Sequence, residues 1–393
     1  MPTVLTGLVD TGDVLADELV VDMAEDIKYL DPDESQFTTM LQQIASKEAI
    51  SKKVNWLEDE LFPRISSLAA SATSGATTLT VATGEGDYFR AKDVVRNALT
   101  GEAYRVTSVS TDTLTVVRSI GDVAAASSAS GAELVIISNA AKEGATLGER
   151  KITKKVLGYN YTQIVRHPFG FTNTNVAIER YGGQEPALEA KKKLIEHKRS
   201  IEQLAFWGAR DSQTHSGDSE PTRYAGGLVE YLSSNVDDVG GALGEDELEG
   251  YLRDGLQHGS RNKVLFGSPL FSQSISKFLR ERMAPAGPSE RLWGAKVDAY
   301  ISGAYGYKVP LITKRDWNDF GVTGTYYGTW AVGVDMSNVK IRPLKTRNTK
   351  LLRNRQANDA DETTHEFLTE LTFEVAQEAT HFIIKGVTSG STS

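Results

Sequence analysis

The sequence predicts an α+β fold in which a small β-domain interrupts a larger domain built around one long helix. Three observations support this prediction. Short strand-like runs separated by Gly and Asp turns fill residues 64–141, where Ser, Thr, Ala, Gly and Val are frequent. A long helical pattern follows at about residues 184–208, and helical and strand-like patterns alternate after residue 240. A chain of 393 residues is also long enough for two or more domains.

The N-terminal region predicts an arm followed by two short helices. Residues 1–20 are weakly patterned, as is typical of a terminal segment that a partner orders. The first helix is predicted at Leu19–Tyr29, and Pro32 disfavours helical geometry in the residue before it. Ser35 can cap a second helix. The apolar face of that helix would contain Phe37, Met40, Leu41 and Ile44.

The β-domain is predicted as an insertion because a different pattern lies on each side of it. A strand-like segment, Val54–Leu61, leads into the region, and another, Lys151–Arg166, follows it. Strands of this length at such short spacing are typical of a small antiparallel domain. The predicted strands are Thr77–Val81, Asp93–Asn97, Tyr104–Val109, Thr113–Arg118 and Glu133–Ser138.

The best helical pattern in the chain begins after Gly182-Gly183, with Pro186 in its first turn, where proline is tolerated. Its apolar stripe includes Ala187, Leu194 and Ile201, which are spaced seven residues apart. A helix of roughly 22 residues is about 33 Å long. We therefore expect it to serve as a spine on which a sheet rests.

The remaining chain predicts an α/β region and then return strands. Glu245–His258 has Leu residues at spacing four, and Ser268-Pro269 begins another helix. A basic strand-like segment, 339–352, and an alternating run, Phe367–Lys385, close the chain. The predicted central strands are Lys263–Phe266, Val309–Ile312 and Trp330–Val334.

Composition limits the classes of function. The chain has no Cys, which excludes disulfides, thiolate catalysis and cysteine metal sites. No run of about 18 apolar residues is present, so no membrane partner is predicted. The net charge is −9 and the sequence pI is about 5.4. A dedicated nucleic-acid binder is usually basic, so only weak contact with DNA is compatible with this charge.

Motifs that carry chemistry were not found in the sequence. It lacks the Gly-x-x-x-x-Gly-Lys phosphate loop, the Gly-x-Gly-x-x-Gly dinucleotide motif and the Gly-x-Ser-x-Gly nucleophile elbow. The histidines lack the paired spacing of a metal site on one helix. We therefore predict no enzyme activity and assign no catalytic, cofactor-binding or metal-binding residue.

Two charged clusters are candidate contact sites. The acidic one is Glu58, Asp59 and Glu60. The basic one has seven cationic residues in sixteen positions, many of which a strand would place on one face. Pairing between neighbouring subunits and a solvated sheet face are equally compatible with the pattern, followed by contact with DNA. The basic residues are Lys340, Arg342, Lys345, Arg347, Lys350, Arg353 and Arg355.

The order of these parts resembles the major capsid (major head) proteins of tailed double-stranded DNA phages, which share the Hong-Kong-type capsid fold. The chain is most similar to the branch with a β-rich insertion in the extended loop. The resemblance covers about residues 20–387 and rests on packing and turn patterns. These patterns are Asp33–Leu41, Val54–Asp59, Phe89–Val95, Gly101-Glu102, Leu114–Arg118, Glu143–Ala145 and Ala225–Leu228.

The resemblance implies a division of the chain into five parts. The first is an N-terminal arm, and the last contains the return strands of the peripheral domain and a tail. Between them lie an extended loop with its inserted β-domain, a peripheral domain with the spine helix at 184–208, and an axial domain of the α/β type. The implied bounds are 1–50, 51–181 with the insert at 64–141, 182–239, 240–335 and 336–393.

The same resemblance implies a structural protein that self-assembles as hexamers and pentamers into an icosahedral shell enclosing phage DNA. It implies a virion location after assembly in the host cytoplasm, and no cofactor. Implied partners are a portal, a decoration protein and a scaffolding protein. The scaffolding protein is expected to be a separate chain, because only about 20 residues precede the first predicted helix. Two alternatives stay open, namely an encapsulin-type compartment shell and a carbohydrate-binding or carbohydrate-active protein with β-modules.

Overall fold

A computed structural model describes residues 35–44, 47–145, 148–178, 185–282, 299–303, 305–319 and 327–390. The chain divides into two compact units. The first combines the chain up to Trp56 with the chain from Gly158 onward, and the second is Leu57–Leu157. The helix predicted at Leu19–Tyr29 and most of the predicted arm lie outside the described residues.

The described residues form six α-helices and twenty strands. The helices are α1 (Gln36–Gln43), α2 (Asn173–Ala177), α3 (Glu185–Trp207), α4 (Leu228–Tyr231), α5 (Glu245–Gly255) and α6 (Pro269–Arg282). The first ten strands are β1 (Lys53–Glu58), β2 (Ile65–Ser67), β3 (Thr78–Thr80), β4 (Asp93–Asn97), β5 (Ala103–Ser110), β6 (Thr113–Val117), β7 (Glu133–Asn139), β8 (Val156–Tyr161), β9 (Gln163–Thr172) and β10 (Asp211–Gln213). The others are β11 (Thr222–Tyr224), β12 (Val236–Leu243), β13 (Lys263–Gly267), β14 (Ala299–Ile301), β15 (Lys308–Thr313), β16 (Ala331–Asp335), β17 (Val339–Pro343), β18 (Lys350–Leu352), β19 (Glu362–Val375) and β20 (Phe382–Gly390).

The second unit is a small antiparallel barrel. Its strand order is β2-β7-β4-β5-β6-β3, and every neighbouring pair is antiparallel. The sheet closes because Leu68 and Val81, just beyond β2 and β3, form a further antiparallel bridge. Alternate side chains therefore point inward and build a core of their own. Its largest members are Leu68, Phe89, Tyr104, Leu114 and Leu134.

A buried ion pair between Glu102 and Arg118 lies within this barrel unit. The Arg118 guanidinium is 2.7 Å from the Glu102 carboxylate and also lies over the ring of Tyr104. Burial opposes ionisation of Glu102, but the Arg118 hydrogen bond and the amides of Ala126 and Ser119 together hold its pKa below the ordinary value. Arg118 also donates to the carbonyls of Thr73 and Ala126, so its charge ties loops to the barrel wall.

The first unit contains a mixed six-stranded sheet with the order β12-β20-β16-β13-β15-β14. β13 is buried along its whole length, as the apolar run Val264-Leu265-Phe266 predicts for a central strand. Helices α5 and α6 contribute Leu248, Leu252 and Phe271 to the core under this sheet. The helix and strand order predicted for this region is therefore observed, with α5 ending three residues earlier than expected.

The last strand lies inside the six-stranded sheet, where β20 pairs with β12 and β16. The predicted single run Phe367–Lys385 is broken between β19 and β20, where Gln377 has a φ of 56° and turns the chain. Phe382, Ile383 and Ile384 are all buried, so this segment needs cover on both faces, which a position inside the sheet provides.

A second sheet of the first unit has the order β17-β19-β18, with β9 also paired to β19. The β9–β19 ladder is long and antiparallel, running from Gln163 opposite Leu371 to Thr172 opposite Glu362. Phe169, Phe171 and Phe367 on one face pack against α3. The predicted spine helix is thus observed at Glu185–Trp207, and it rests on this sheet.

Glycine fixes the end of the spine helix. The backbone of Gly208 lies so close to a neighbouring loop that a Cβ there would be 2.4 Å from the carbonyl oxygen of Ala225. The Gly208 carbonyl accepts a 2.7 Å hydrogen bond from the amide of Gly227. Only a residue without a side chain allows this approach, so the helix ends where its sequence pattern predicts.

The helix α1 is fixed to the first unit by a buried carboxylate. Glu202 of α3 accepts hydrogen bonds from the amides of Phe37 and Thr38, at 2.8 and 2.7 Å, in the first turn of α1. Lys314 donates to the same carboxylate at 2.8 Å, and both side chains are 0% exposed. The carboxylate therefore satisfies both the helix N-terminus and a buried lysine. Ser35 makes no side-chain cap, so the capping predicted for it is wrong.

Candidate functional site

Strand β19 carries a row of three glutamates on one face. Glu366, Glu370 and Glu374 are four residues apart, so strand alternation points them to the side opposite the aromatic face that packs on α3. All three side chains are largely removed from solvent. A buried carboxylate needs cations or hydrogen-bond donors to replace the water that it loses.

Each of these glutamates has two cationic partners from the same chain. The six cations outnumber the three carboxylates, so the row keeps a formal surplus of positive charge. Several partners come from the basic segment 340–355, and the others from β9 and β11. The pairs are Lys340–Glu374 at 3.5 Å, Arg342–Glu374 at 2.9 Å, Arg347–Glu370 at 2.6 Å, Arg223–Glu370 at 2.9 Å, Arg355–Glu366 at 3.3 Å and Arg166–Glu366 at 2.5 Å.

The seven predicted basic residues thus fall into two groups. Lys340, Arg342, Arg347 and Arg355 have partners within the chain. The other three, Lys345, Lys350 and Arg353, are exposed, and no ion pair within the described parts of the chain includes them. The regular spacing of the glutamates is the signal in the sequence that could have indicated these internal pairs.

The acidic cluster lies in a different part of the chain. Glu58 ends β1, and Asp59 and Glu60 follow it as exposed residues. We call the stretches 57–61 and 152–157 together the extended segment. The Thr153 hydroxyl donates to the Asp59 carboxylate at 3.0 Å and to the Glu60 carbonyl at 2.9 Å. These bonds link the outgoing segment after β1 to the returning segment before β8. The acidic residues belong to the second unit and the basic ones to the first.

The same extended segment exposes large apolar side chains. Leu61 is 94% exposed and Ile152 is 88% exposed, on the two stretches that Thr153 links. Three more exposed apolar residues flank them, namely Leu57, Val156 and Leu157. Single exposed apolar residues are normal on proteins, but a concentration of them on one segment indicates a surface that a partner covers.

The strands β1 and β8 pair with each other, and the chain enters and leaves the second unit through them. Trp56 of β1 packs directly on Gly158 of β8, where a Cβ would lie 2.4 Å from the Trp56 indole nitrogen. Trp56 also contacts the ring of Tyr231, with ring centroids 5.9 Å apart. The base of the extended segment is therefore fixed by aromatic packing within the first unit.

Neither a metal centre nor a membrane helix is found in the described ranges. No group of three or more His, Asp or Glu side chains there is arranged to hold a metal ion. Within the same ranges, no helix is long and apolar enough to cross a bilayer.

Sequence comparisons identify similar proteins of one kind. Residues 5–388 match the family model of the SU10 major capsid protein. A major capsid protein of Pseudomonas phage PaMx41 is 29% identical over 174 residues, which cover 43% of this chain. The aligned region spans only 41% of the length of that relative.

Solved structures share the fold at low sequence identity. The capsid protein of cyanophage A-1(L) gives a TM-score of 0.54 at 9% identity, covering 95% of this chain and 98% of that chain. The capsid of a native GTA particle, computed with C5 symmetry, gives a TM-score of 0.51 at 10% identity, with coverage of 95% and 96%. Gordonia phage Cozz gives 0.50 at 11% identity, with coverage of 94% and 91%. At these identities the likeness concerns the fold alone.

Proposed function

The chain belongs to the SU10 major capsid protein family, and we propose that it self-assembles as hexamers and pentamers into the icosahedral shell that encloses the DNA of a tailed phage. The observation that carries this proposal is the family match over nearly the whole chain. The protein is then a structural subunit of the virion capsid, assembled in the host cytoplasm. A portal, a separate scaffolding protein and a decoration protein are its proposed partners, together with further copies of itself.

The exposed apolar residues of the extended segment support self-assembly. Leu57, Leu61, Ile152, Val156 and Leu157 lie on a segment that the subunit does not cover. Full burial of one such side chain contributes about 1.5–3 kcal/mol. In a closed shell every subunit repeats the same contact, so a modest gain per side chain is multiplied many times. We infer that these residues pack against a neighbouring copy.

The basic segment supports a second, polar contribution to assembly. Lys345, Lys350 and Arg353 are exposed cations beside a row that already has a surplus of positive charge. They would pair with Glu58, Asp59 and Glu60 of a neighbouring copy, or contact packaged DNA weakly and without sequence specificity. Pairing between subunits would weaken with added salt, because screening reduces the attraction between exposed charges.

Assembly of a variant with two polar substitutions tests the apolar contact. Leu61→Ser combined with Ile152→Ser should reduce the particle fraction by at least about tenfold, since about 1.4 kcal/mol already changes an association constant tenfold. Sedimentation velocity of the purified full-length protein measures this fraction. The matched control is Leu99→Ser, because Leu99 is 74% exposed on the barrel and should leave assembly unchanged. A double variant that forms particles as well as the control would contradict the proposed contact.

A further inference from the structure

Two histidines meet where the spine helix α3 packs on the sheet that contains β9 and β19. His197 is on α3 and His167 is on β9, and their Nδ1 atoms are 2.9 Å apart. His197 is fully buried, and its ring also packs on Phe367 of β19. Three elements therefore join at one imidazole pair. The sequence gives no sign of it, because the residues are thirty positions apart and lie on different elements.

Hydrogen bonding determines which protonation state this geometry allows. His197 Nε2 is 2.7 Å from the Thr369 hydroxyl, which itself donates to Thr349 at 2.9 Å. The Thr369 oxygen therefore accepts, so His197 donates through Nε2 and accepts through Nδ1. His167 then donates from Nδ1 to His197. A proton added to His197 would place two N–H groups against each other at 2.9 Å and break the contact.

A proton added to His167 is less disruptive. Its Nε2 atom is 3.3 Å from the Ser200 hydroxyl oxygen, which can accept from an added N–H. His167 can thus become charged and still donate to a neutral His197. The charge would then oppose a second proton on His197, so the two rings titrate as a coupled pair.

The charged groups around the pair do not stabilise a second proton. On α3, Lys193 and Glu196 pair with each other at 2.6 Å and act on His167 with opposite signs. On β19, His365 lies on the same face, packed on Phe169, whereas alternation points Glu366 to the other face, as it does Arg166 of β9. On β18, Leu351 packs in this cluster, whereas alternation points Lys350 to the other face. Burial, followed by the charge of His167, lowers the pKa of His197 to about 4, and burial also lowers the pKa of His167.

We propose that the His167–His197 pair is an acid-sensitive latch that holds the spine helix on the β9–β19 sheet at neutral pH and releases it in mild acid. The direction follows from proton linkage. In the unfolded chain His197 has its ordinary pKa of 6.5, and in the folded chain a pKa of about 4. Between these values the unfolded state binds more protons, so stability falls as the pH drops through this window and levels off below it.

The expected loss of stability depends on whether one or both histidines take up a proton on unfolding. Each pH unit inside the window lowers the folding equilibrium constant by up to about tenfold for each titrating histidine. Another buried histidine, His381 between β19 and β20, also has a pKa lowered to about 4 by burial. Global stability alone therefore does not separate the two sites, and the test needs a readout local to α3.

Amide hydrogen exchange of the full-length protein, read by mass spectrometry, provides that readout. Rates at about pH 7 and about pH 5, corrected for intrinsic chemistry, should rise at least about fivefold more in residues 194–205 of α3 than in β4 and β5, because residues 57–157 contain no histidine. His197→Gln should reduce this extra response to less than about twofold, and so should His167→Gln. His215→Gln, on the exposed hairpin beside Tyr224, is the matched control and should keep the full response.

Two results would overturn the proposal. One is an α3 response no larger than that of β4 and β5 in the unmodified protein. The other is a response that persists in both histidine variants. If neither variant folds, exchange of the imidazole C2 hydrogen in the unmodified protein decides the matter, because it reports the titration of each histidine. A midpoint near 4 for His197 supports the latch, and a midpoint of 6.5 or above refutes it.

Discussion

At the scale of single residues, the buried carboxylate of Glu202 holds three segments of the first unit together. Glu202 and Lys314 are both 0% exposed, and Asp316 lies 3.5 Å from the same ammonium group. Burial raises the pKa of Asp316, which Lys314 partly opposes. Such clusters contribute little net stability, but removing one partner leaves the other charge uncompensated. They fix which segments must come together, in this case α1, α3 and the loop after β15.

Neutralising Glu202 tests this role. Glu202→Gln should lower the unfolding free energy of the first unit by about 3–5 kcal/mol, because the buried Lys314 would keep only Asp316 as an anionic partner and the first turn of α1 would keep one acceptor oxygen instead of two. Urea unfolding followed by tryptophan fluorescence measures this loss. Glu230→Gln, at an exposed position on α4, is the control and should change stability by less than about 0.5 kcal/mol. Equal unfolding free energies of the two variants would contradict the proposed role of the Glu202 carboxylate.

At the scale of elements, backbone approach decides where the spine helix ends. Gly208→Ala should destabilise the protein by about 1–3 kcal/mol. The new Cβ would lie within 3 Å of the carbonyl oxygens of Ala225 and Leu204 and of the amide nitrogen of Gly227. Gly250→Ala in α5 is a matched control with the opposite sign, because nothing lies within 4 Å of that position. There the gain in helix propensity should stabilise by about 0.5–1 kcal/mol. Thermal melts of both variants distinguish a packing effect from a general effect of alanine.

Local patterns predicted most elements but not how they pair. Periodicity placed the spine helix within one residue at each end, and strand patterns placed five of the six barrel strands within one residue. The short strand β2 was not predicted. Closure of the barrel depends on a bridge between Leu68 and Val81, which no local pattern encodes. The position of β20 in its sheet depends equally on pairing between distant segments. Partners far apart in the chain are chosen by packing rather than by propensity.

The candidate contact residues show the same limit. The sequence predicted a cationic contact segment at residues 340–355, because charge is visible residue by residue. It did not reveal that Arg342 and Arg347 are held by Glu374 and Glu370, since those contacts form across the sheet. Exposure of Leu61 and Ile152 was not visible either, because an apolar residue in a strand-like run is ordinarily expected inside.

At the scale of the whole molecule, the predicted tailed-phage capsid fold and the predicted major capsid family are both confirmed by the comparisons. Two compact units, each with its own core, are joined through the paired strands β1 and β8. The segment beside these strands exposes apolar surface that a lone subunit does not bury. We therefore expect subunits to gain stability from association with further copies.

Electron microscopy of the purified, full-length protein tests the proposed shell assembly most directly. The proposal predicts closed particles whose reconstruction contains hexamers and pentamers of this chain, with residues 57–61 and 152–157 covered by a neighbouring copy. Nucleic acid, rather than a protein cargo, should fill particles taken from infected cells. A protein that stays monomeric at all concentrations, or closed particles that enclose an enzyme instead of DNA, would contradict the proposal.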